Sequence, residues 1–87
     1  MIRIDLPSFL SQRLRISHYQ CEADTLREAF SKLIESHPQL LPLFVPESFQ
    51  PKDFASIYLN NKLIDFNSDL KLANSDTITI MTAVSGG

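Results

Sequence analysis

Three side chains of the sequence are of types that can serve as nucleophile, general base or metal ligand: Cys21, His18 and His37. Cys21 and His18 lie three residues apart in a segment predicted to be extended, so they should project from opposite faces of a strand. His37 precedes a proline at the predicted end of a helix, where a partial positive charge suits the helix dipole. One cysteine and two scattered histidines also lack the ligand spacing of a metal site. We therefore expect no side-chain active site and no bound metal or cofactor, with Cys21 a small buried or edge residue.

The other feature with chemical potential is the pair Gly86-Gly87, which ends the sequence. At the usual frequency of about 7%, a chain of this length would contain roughly six glycines, but there are only 2 and they are adjacent. A carboxylate becomes an electrophile only after activation, for example as an acyl-adenylate made from ATP in the enclosed site of another protein. Glycine has no Cβ, so a terminal pair can enter a narrow channel. We expect Gly87 to be activated by a partner enzyme that uses ATP, and then to accept sulfide or an amine.

Composition and charge are those of an ordinary globular chain. The 87 residues are 44% hydrophobic and 21% charged, which predicts one small domain over residues 1–82 with a flexible tail at 83–87. The net charge of -2, without a basic block, argues against nucleic acid as a partner. The longest apolar stretch, Leu40–Val45, is too short to span a membrane. The single cysteine and the lack of a visible export signal predict a cytoplasmic protein.

Two extended segments and one helix are predicted in the first half. Ile2–Leu6 alternates apolar and polar residues, and Leu14–Cys21 forms a second extended run. Thr25 and Glu28 have the spacing of a capping box at the start of the helix, and His37-Pro38 should end it. The apolar stripe of this helix consists of Leu26, Ala29, Phe30, Leu33 and Ile34.

The second half begins with a long connection, residues 38–53, which carries four of the five prolines but is too apolar for a linker. We expect it to be packed against the core with one helical turn. Three strands should follow, with Ile78 and Ile80 pointing to the core and Met81 facing outward. These strands are Ser56–Leu59, Lys62–Ile64 and Thr77–Met81, joined by turns at Asn60-Asn61 and Asn74–Asp76.

The order of these elements predicts an α+β fold. Two strands precede the helix and the others follow it, so the sheet of four to five strands should be mixed, with the helix across one face. Parallel pairing of the first and last strands in the middle of the sheet would make this the β-grasp, or ubiquitin-like, architecture.

The C-terminal half resembles the MoaD/ThiS family of ubiquitin-like sulfur-carrier proteins. The likeness covers residues 56–87 and is carried by the strand ending at Asn60-Asn61, the returning strand, the alternating strand after the Ser75-Asp76 turn, and the final Gly86-Gly87. The family usually fills that turn with Gly-Asp. Residues 1–36 agree with the family in element order alone. The length favours the molybdopterin synthase small subunit or cysteine-type carriers over the shorter thiamine carriers.

The resemblance implies a role for specific residues. Gly87 would be adenylated by a ubiquitin-activating-type adenylyltransferase and converted to a thiocarboxylate, and Gly86 would let the tail pass. Leu63 and Met81 match apolar surface positions that the family presents to the activating enzyme. A sulfur-accepting synthase subunit or biosynthetic enzyme would be the second partner. The partner-binding segment would continue from Met81 through Thr82, Ala83, Val84 and Ser85.

Two other functions are compatible with the same sequence. A ubiquitin-like modifier would join Gly87 to the lysines of target proteins, after the same activation step. A β-grasp interaction module would leave the tail unused.

Overall fold

The computed structural model describes residues 1–52 and 55–82, so the predicted tail, with Ala83, Val84, Ser85, Gly86 and Gly87, lies outside the described residues. No helix within those two ranges is long and apolar enough to cross a membrane. In chain order the elements are β1 (Ile2–Asp5), α1 (Ser8–Leu14), β2 (His18–Cys21), α2 (Leu26–Ser36), a 3₁₀ helix (Pro38–Leu43), β3 (Ala55–Leu59), β4 (Lys62–Ile64) and β5 (Thr77–Thr82).

The five strands form one mixed sheet in the order β2-β1-β5-β3-β4. β1 and β5 are parallel neighbours at its centre, with Ile4 opposite Ile78, and every other pairing is antiparallel. A parallel pair needs a long crossover, which here contains α2 and the β3-β4 hairpin. The topology confirms the predicted β-grasp.

The hydrophobic core lies between one face of the sheet and α2. Strand alternation sends one set of isoleucines toward the helix, and all five residues of the predicted helical stripe are buried. The core residues are Ile2, Ile4, Leu10, Cys21, Leu26, Ala29, Phe30, Leu33, Ile34, Leu40, Phe44, Ile57, Ile78 and Ile80.

The predicted cap of α2 is present with one change of partner. Thr25 Oγ1 accepts a hydrogen bond from the Glu28 backbone N–H at 3.2 Å. Glu28 Oε1 accepts from the backbone N–H of Asp24, at 2.7 Å, instead of from that of Thr25. The helix ends at Ser36, and the His37 N–H donates to the carbonyls of Leu33 and Ile34.

The prediction that Leu14–Cys21 is one extended run is wrong in its first half. Pro7 precedes helix α1, which buries Leu10 and ends at Leu14; the next residue, Arg15, caps the helix with φ of 63°. The strand β2 occupies only the second half of the run. The helical signals in the sequence were Pro7, directly before the first helical residue, and the four-residue spacing from Leu10 to Leu14.

The connection after α2 is packed against the core, as predicted. Its 3₁₀ helix buries Leu40, and Phe44 forms an isolated bridge with Pro51. The Phe44 ring lies 5.5 Å from that of Phe30 in α2, measured between centroids. This packing fixes residues 38–51 along one side of the domain.

The β3-β4 turn is tied to the start of β5 by side-chain hydrogen bonds. Asn60 Nδ2 donates to Asp76 Oδ1 at 2.9 Å, and Asn60 Oδ1 accepts from the Thr77 N–H at 2.9 Å. Asp76 Oδ2 accepts from the Ala73 N–H at 2.8 Å. We call the Asn60–Asp76–Thr77 contacts the turn clamp.

Candidate functional site

The face of the sheet turned away from α2 carries an apolar surface on its β5-β3-β4 side. In the strand register, Tyr58 lies opposite Leu63 on one neighbour and Thr79 on the other, while Ser56 lies opposite Met81. Residues directly opposite share a face, so these side chains are neighbours. We call Tyr58, Leu63 and Met81 the open-face patch.

The apolar side chains of the open-face patch are more exposed to solvent than such side chains usually are in a protein without a partner. Leu63 is 61% exposed and Met81 is 51% exposed, and Tyr58 is half-buried between them. A shallow depression of about 240 Å³ lies between Tyr58, Asn61, Thr79 and Met81. Grouped exposed apolar side chains are typical of a surface that another protein covers.

The other half of this face is polar, on β1 and β2. Arg3 Nε donates to Asp5 Oδ1 at 2.7 Å, and Asp5 lies opposite His18 and Thr79 in the register. His18 Nδ1 is 3.2 Å from Ser17 Oγ. The apolar patch therefore has a definite polar border.

The last described residue, Thr82, lies at the end of β5 opposite Ala55. Thr82 is half-buried, and it directly follows Met81 of the open-face patch. The remaining predicted contact residues, Ala83 to Ser85, and the predicted reactive pair Gly86-Gly87 lie outside the described residues and stay predictions.

The candidate catalytic side chains do not converge. Cys21 is buried in the core at 8% exposure, and burial raises the pKa of its thiol while the nearby Lys32 charge opposes that rise. His37 packs edge-on against Tyr19, with ring centroids 6.0 Å apart. Among the residues the structure describes, no three His, Cys, Asp or Glu side chains are grouped as metal ligands. Cys21 is thus a core residue, as its sequence context indicated.

The sequence predicted partner contacts for Leu63 and Met81, which stay a prediction, and it indicated Tyr58 only as part of a strand. The grouping requires the strand order, because Tyr58 lies beside Leu63 and Met81 only when β3 is between β4 and β5. The alternation of Ile57 and Tyr58 already indicated that the tyrosine faces away from the core.

Comparisons with known proteins agree with this fold. The model of the ThiS family matches residues 12–87. A chain of the Amycolatopsis orientalis BexX/CysO complex is 20% identical, with a TM-score of 0.83 and 100% of both chains covered. Mycobacterium tuberculosis CysO is 25% identical, with a TM-score of 0.77 over 97% of this chain and 100% of that one. SAMP1 from Haloferax volcanii is 20% identical, with a TM-score of 0.75 over 99% and 98%. No curated protein matches the sequence significantly.

Proposed function

Since the chain belongs to the ThiS family, we propose that it is a sulfur carrier whose Gly87 carboxyl group is converted to a thiocarboxylate by partner enzymes. The observation that carries the proposal is the adjacency of the open-face patch to the end of β5, from which the chain continues toward Gly86-Gly87. An enzyme docked on this patch is placed to receive the tail.

The proposed chemistry takes place on the partner. The Gly87 carboxylate attacks the α-phosphorus of ATP, forming an acyl-adenylate and releasing pyrophosphate. Sulfide then displaces AMP and forms the thiocarboxylate. The sulfur of the thiocarboxylate is transferred to an acceptor held by a partner enzyme, and hydrolysis of the remaining acyl group leaves the Gly87 carboxylate again. We place these steps in the cytoplasm, where the lone Cys21 stays reduced.

The carrier itself contributes recognition and presentation. Leu63, Tyr58 and Met81 supply the apolar contact, and glycine at the last two positions lets the carboxyl group enter a site too narrow for side chains. The acceptor could be the large subunit of a molybdopterin synthase, with the chain as its small subunit, or an enzyme of cysteine or thiamine biosynthesis.

Intact-mass measurement tests the proposal. The protein is incubated with ATP, a sulfide source and the adenylyltransferase of the same organism. We expect one oxygen-for-sulfur exchange, located at Gly87 by fragmentation and dependent on ATP. A chain lacking Gly87 serves as the control and should remain unmodified.

The same experiment separates the rival functions. Lysine-linked conjugates in cell extract, without sulfur incorporation, would indicate a ubiquitin-like modifier. An unchanged mass in both assays would leave an interaction module whose tail is not used, and would overturn the carrier proposal.

A further inference from the structure

A small cavity lies beside the open-face patch, between the β3-β4 hairpin and the connection that follows α2. Its volume is about 280 Å³, and it is lined by Gln50, Pro51, Ser56, Leu63, Ile64 and Asp65, among others. Small-molecule sites usually have about 300–1,000 Å³ of enclosed space. This open cavity is suited to a single long side chain. We call it the tail-end cavity.

The cavity lies near Thr82, the last described residue before the tail. Ala55, which also lines it, lies opposite Thr82 in the β3-β5 register. The turn clamp at Asn60 and Asp76 lies at the other end of the same strands. The cavity therefore opens at the end of the sheet from which the chain proceeds to residue 83.

The length of the remaining chain limits where a partner can be. Five residues span at most about 17 Å even when fully extended. On the proposed function, the adenylating site must lie within that distance of Thr82. Ala55, opposite Thr82, also lines the tail-end cavity, so the cavity is within reach of an enzyme at that distance.

The residues that line the cavity indicate which kind of side chain it can bind. Asp65 is exposed, and it makes no ion pair or hydrogen bond with any residue in the described ranges. Leu63 and Ile64 supply an apolar wall beside this carboxylate. Lysine and arginine combine an apolar stem with a charged head, and guanidinium pairs well with a carboxylate.

We propose that the tail-end cavity receives an arginine or lysine side chain of the activating enzyme, with Asp65 as its counter-charge. This inference rests on the proposed function and adds a residue that determines specificity for the partner. It also gives a role to the long connection, because Gln50 and Pro51 form one wall of the cavity. The bridge between Phe44 and Pro51 holds that wall in place.

A first experiment tests the cavity without any enzyme. N-acetyl-arginine amide is titrated into the wild-type protein while backbone amide resonances are recorded. We expect saturable shifts concentrated at Ser56, Leu63 and Asp65, absent in Asp65→Asn and retained in Asp69→Asn. Asp69 is an exposed acid that lies, like Asp65, between β4 and β5, but it does not line the cavity. Shifts that are absent, scattered or unaffected by Asp65→Asn would overturn the proposal.

A second experiment uses the activating enzyme. Asp65→Asn should raise the Kd for the enzyme about tenfold, as expected for loss of one desolvated charge pair. The rate of Gly87 adenylation at saturating carrier should stay unchanged, as should the carrier's melting temperature. Asp69→Asn should leave the Kd near the wild-type value. Equal Kd values for wild type and Asp65→Asn would overturn the inference.

The two proposals fail in different ways. If the carrier function is wrong, Gly87 gains no sulfur, whatever the arginine titration gives. If only the cavity assignment is wrong, wild type and Asp65→Asn are both adenylated, and both bind the activating enzyme with the same Kd.

Discussion

At the scale of single residues, two long apolar side chains are exposed to solvent, whereas the thiol of Cys21 is buried. Leu63 and Met81 are more than half exposed, whereas Cys21 is 8% exposed. Burial would be the ordinary outcome for all three residue types. Leu63 and Met81 depart from this outcome, and both belong to the open-face patch, for which we propose a role in partner recognition.

Leu63→Asp should weaken docking much more than folding. The substitution places a charge within the open-face patch, so we expect the Kd for the activating enzyme to rise by about tenfold or more. Because the side chain is largely exposed, the free energy of unfolding should change by less than about 0.5 kcal/mol. Calorimetric binding and urea denaturation measure the two effects. Gln20→Asp, on the polar side of the same face, is the matched control; equal loss of binding in both variants would contradict the prediction.

Ser75→Gly should stabilise the protein. Ser75 has φ of 77°, a left-handed conformation that costs a residue with a Cβ about 1–2 kcal/mol. Glycine removes this cost but loses more entropy on folding, so we expect a net gain of up to about 1 kcal/mol. Urea denaturation measures the gain, and Ser75→Ala, which keeps the Cβ, should give none. A destabilised glycine variant would show that the serine side chain has a role.

The buried thiol predicts a dependence of stability on alkaline pH. Burial raises the pKa of Cys21 in the folded state, so below the ordinary thiol pKa of about 8.5 both states hold the proton and nothing is lost. As pH rises above that value, the unfolded chain ionises first and the free energy of unfolding falls. Denaturation of wild type and Cys21→Ala across this range should give a wild-type advantage that shrinks with pH. An advantage that stays constant would contradict the prediction.

At the scale of elements, the patterns that the sequence predicted well are those with a strong period and clear ends. The stripe of α2 from Leu26 to Ile34, the alternation at Ile78 and Ile80, and the turn at Asn60-Asn61 all appear in the structure. Helix α1 was missed because Ser8–Leu14 buries only Leu10 and so lacks a repeated apolar stripe. These residues were therefore expected to be a short connection, with Leu14 at the start of the extended run. The grouping of Tyr58 with Leu63 and Met81 was not predicted, because it depends on strand order. The partner-binding role of Leu63 and Met81 stays a prediction.

Asn60→Gly should loosen the turn clamp while keeping the backbone relaxed. Asn60 has φ of 51°, which glycine adopts without strain, so the variant removes only the side-chain bonds to Asp76 and Thr77. We expect a loss of about 1–2 kcal/mol in the free energy of unfolding. Hydrogen exchange at the Thr77 amide should also become faster. Asn61→Gly, with φ of 71° and no such bonds among the described residues, is the control; the same loss there would place the effect in the backbone.

At the scale of the whole molecule, the folded body and the reactive terminus should be separable. Removing Gly87 should abolish sulfur incorporation, because the carboxyl group would then belong to a residue one position short of the enzyme's site. The melting temperature should stay within the error of measurement, because glycine has no side chain to bury. Calorimetry and intact-mass assays of the shortened chain check both statements. A lowered melting temperature would show that the terminus stabilises the fold.

The central position of β5 has a consequence for synthesis on the ribosome. β5 pairs with β1 on one side and β3 on the other, so the sheet cannot close until residues 77–82 have been made. Such distant pairing delays folding until almost the whole chain has emerged. Incomplete chains lack Met81 beside Tyr58 and Leu63, and so they present no assembled patch. Assembly of the open-face patch is thereby coupled to the synthesis of β5.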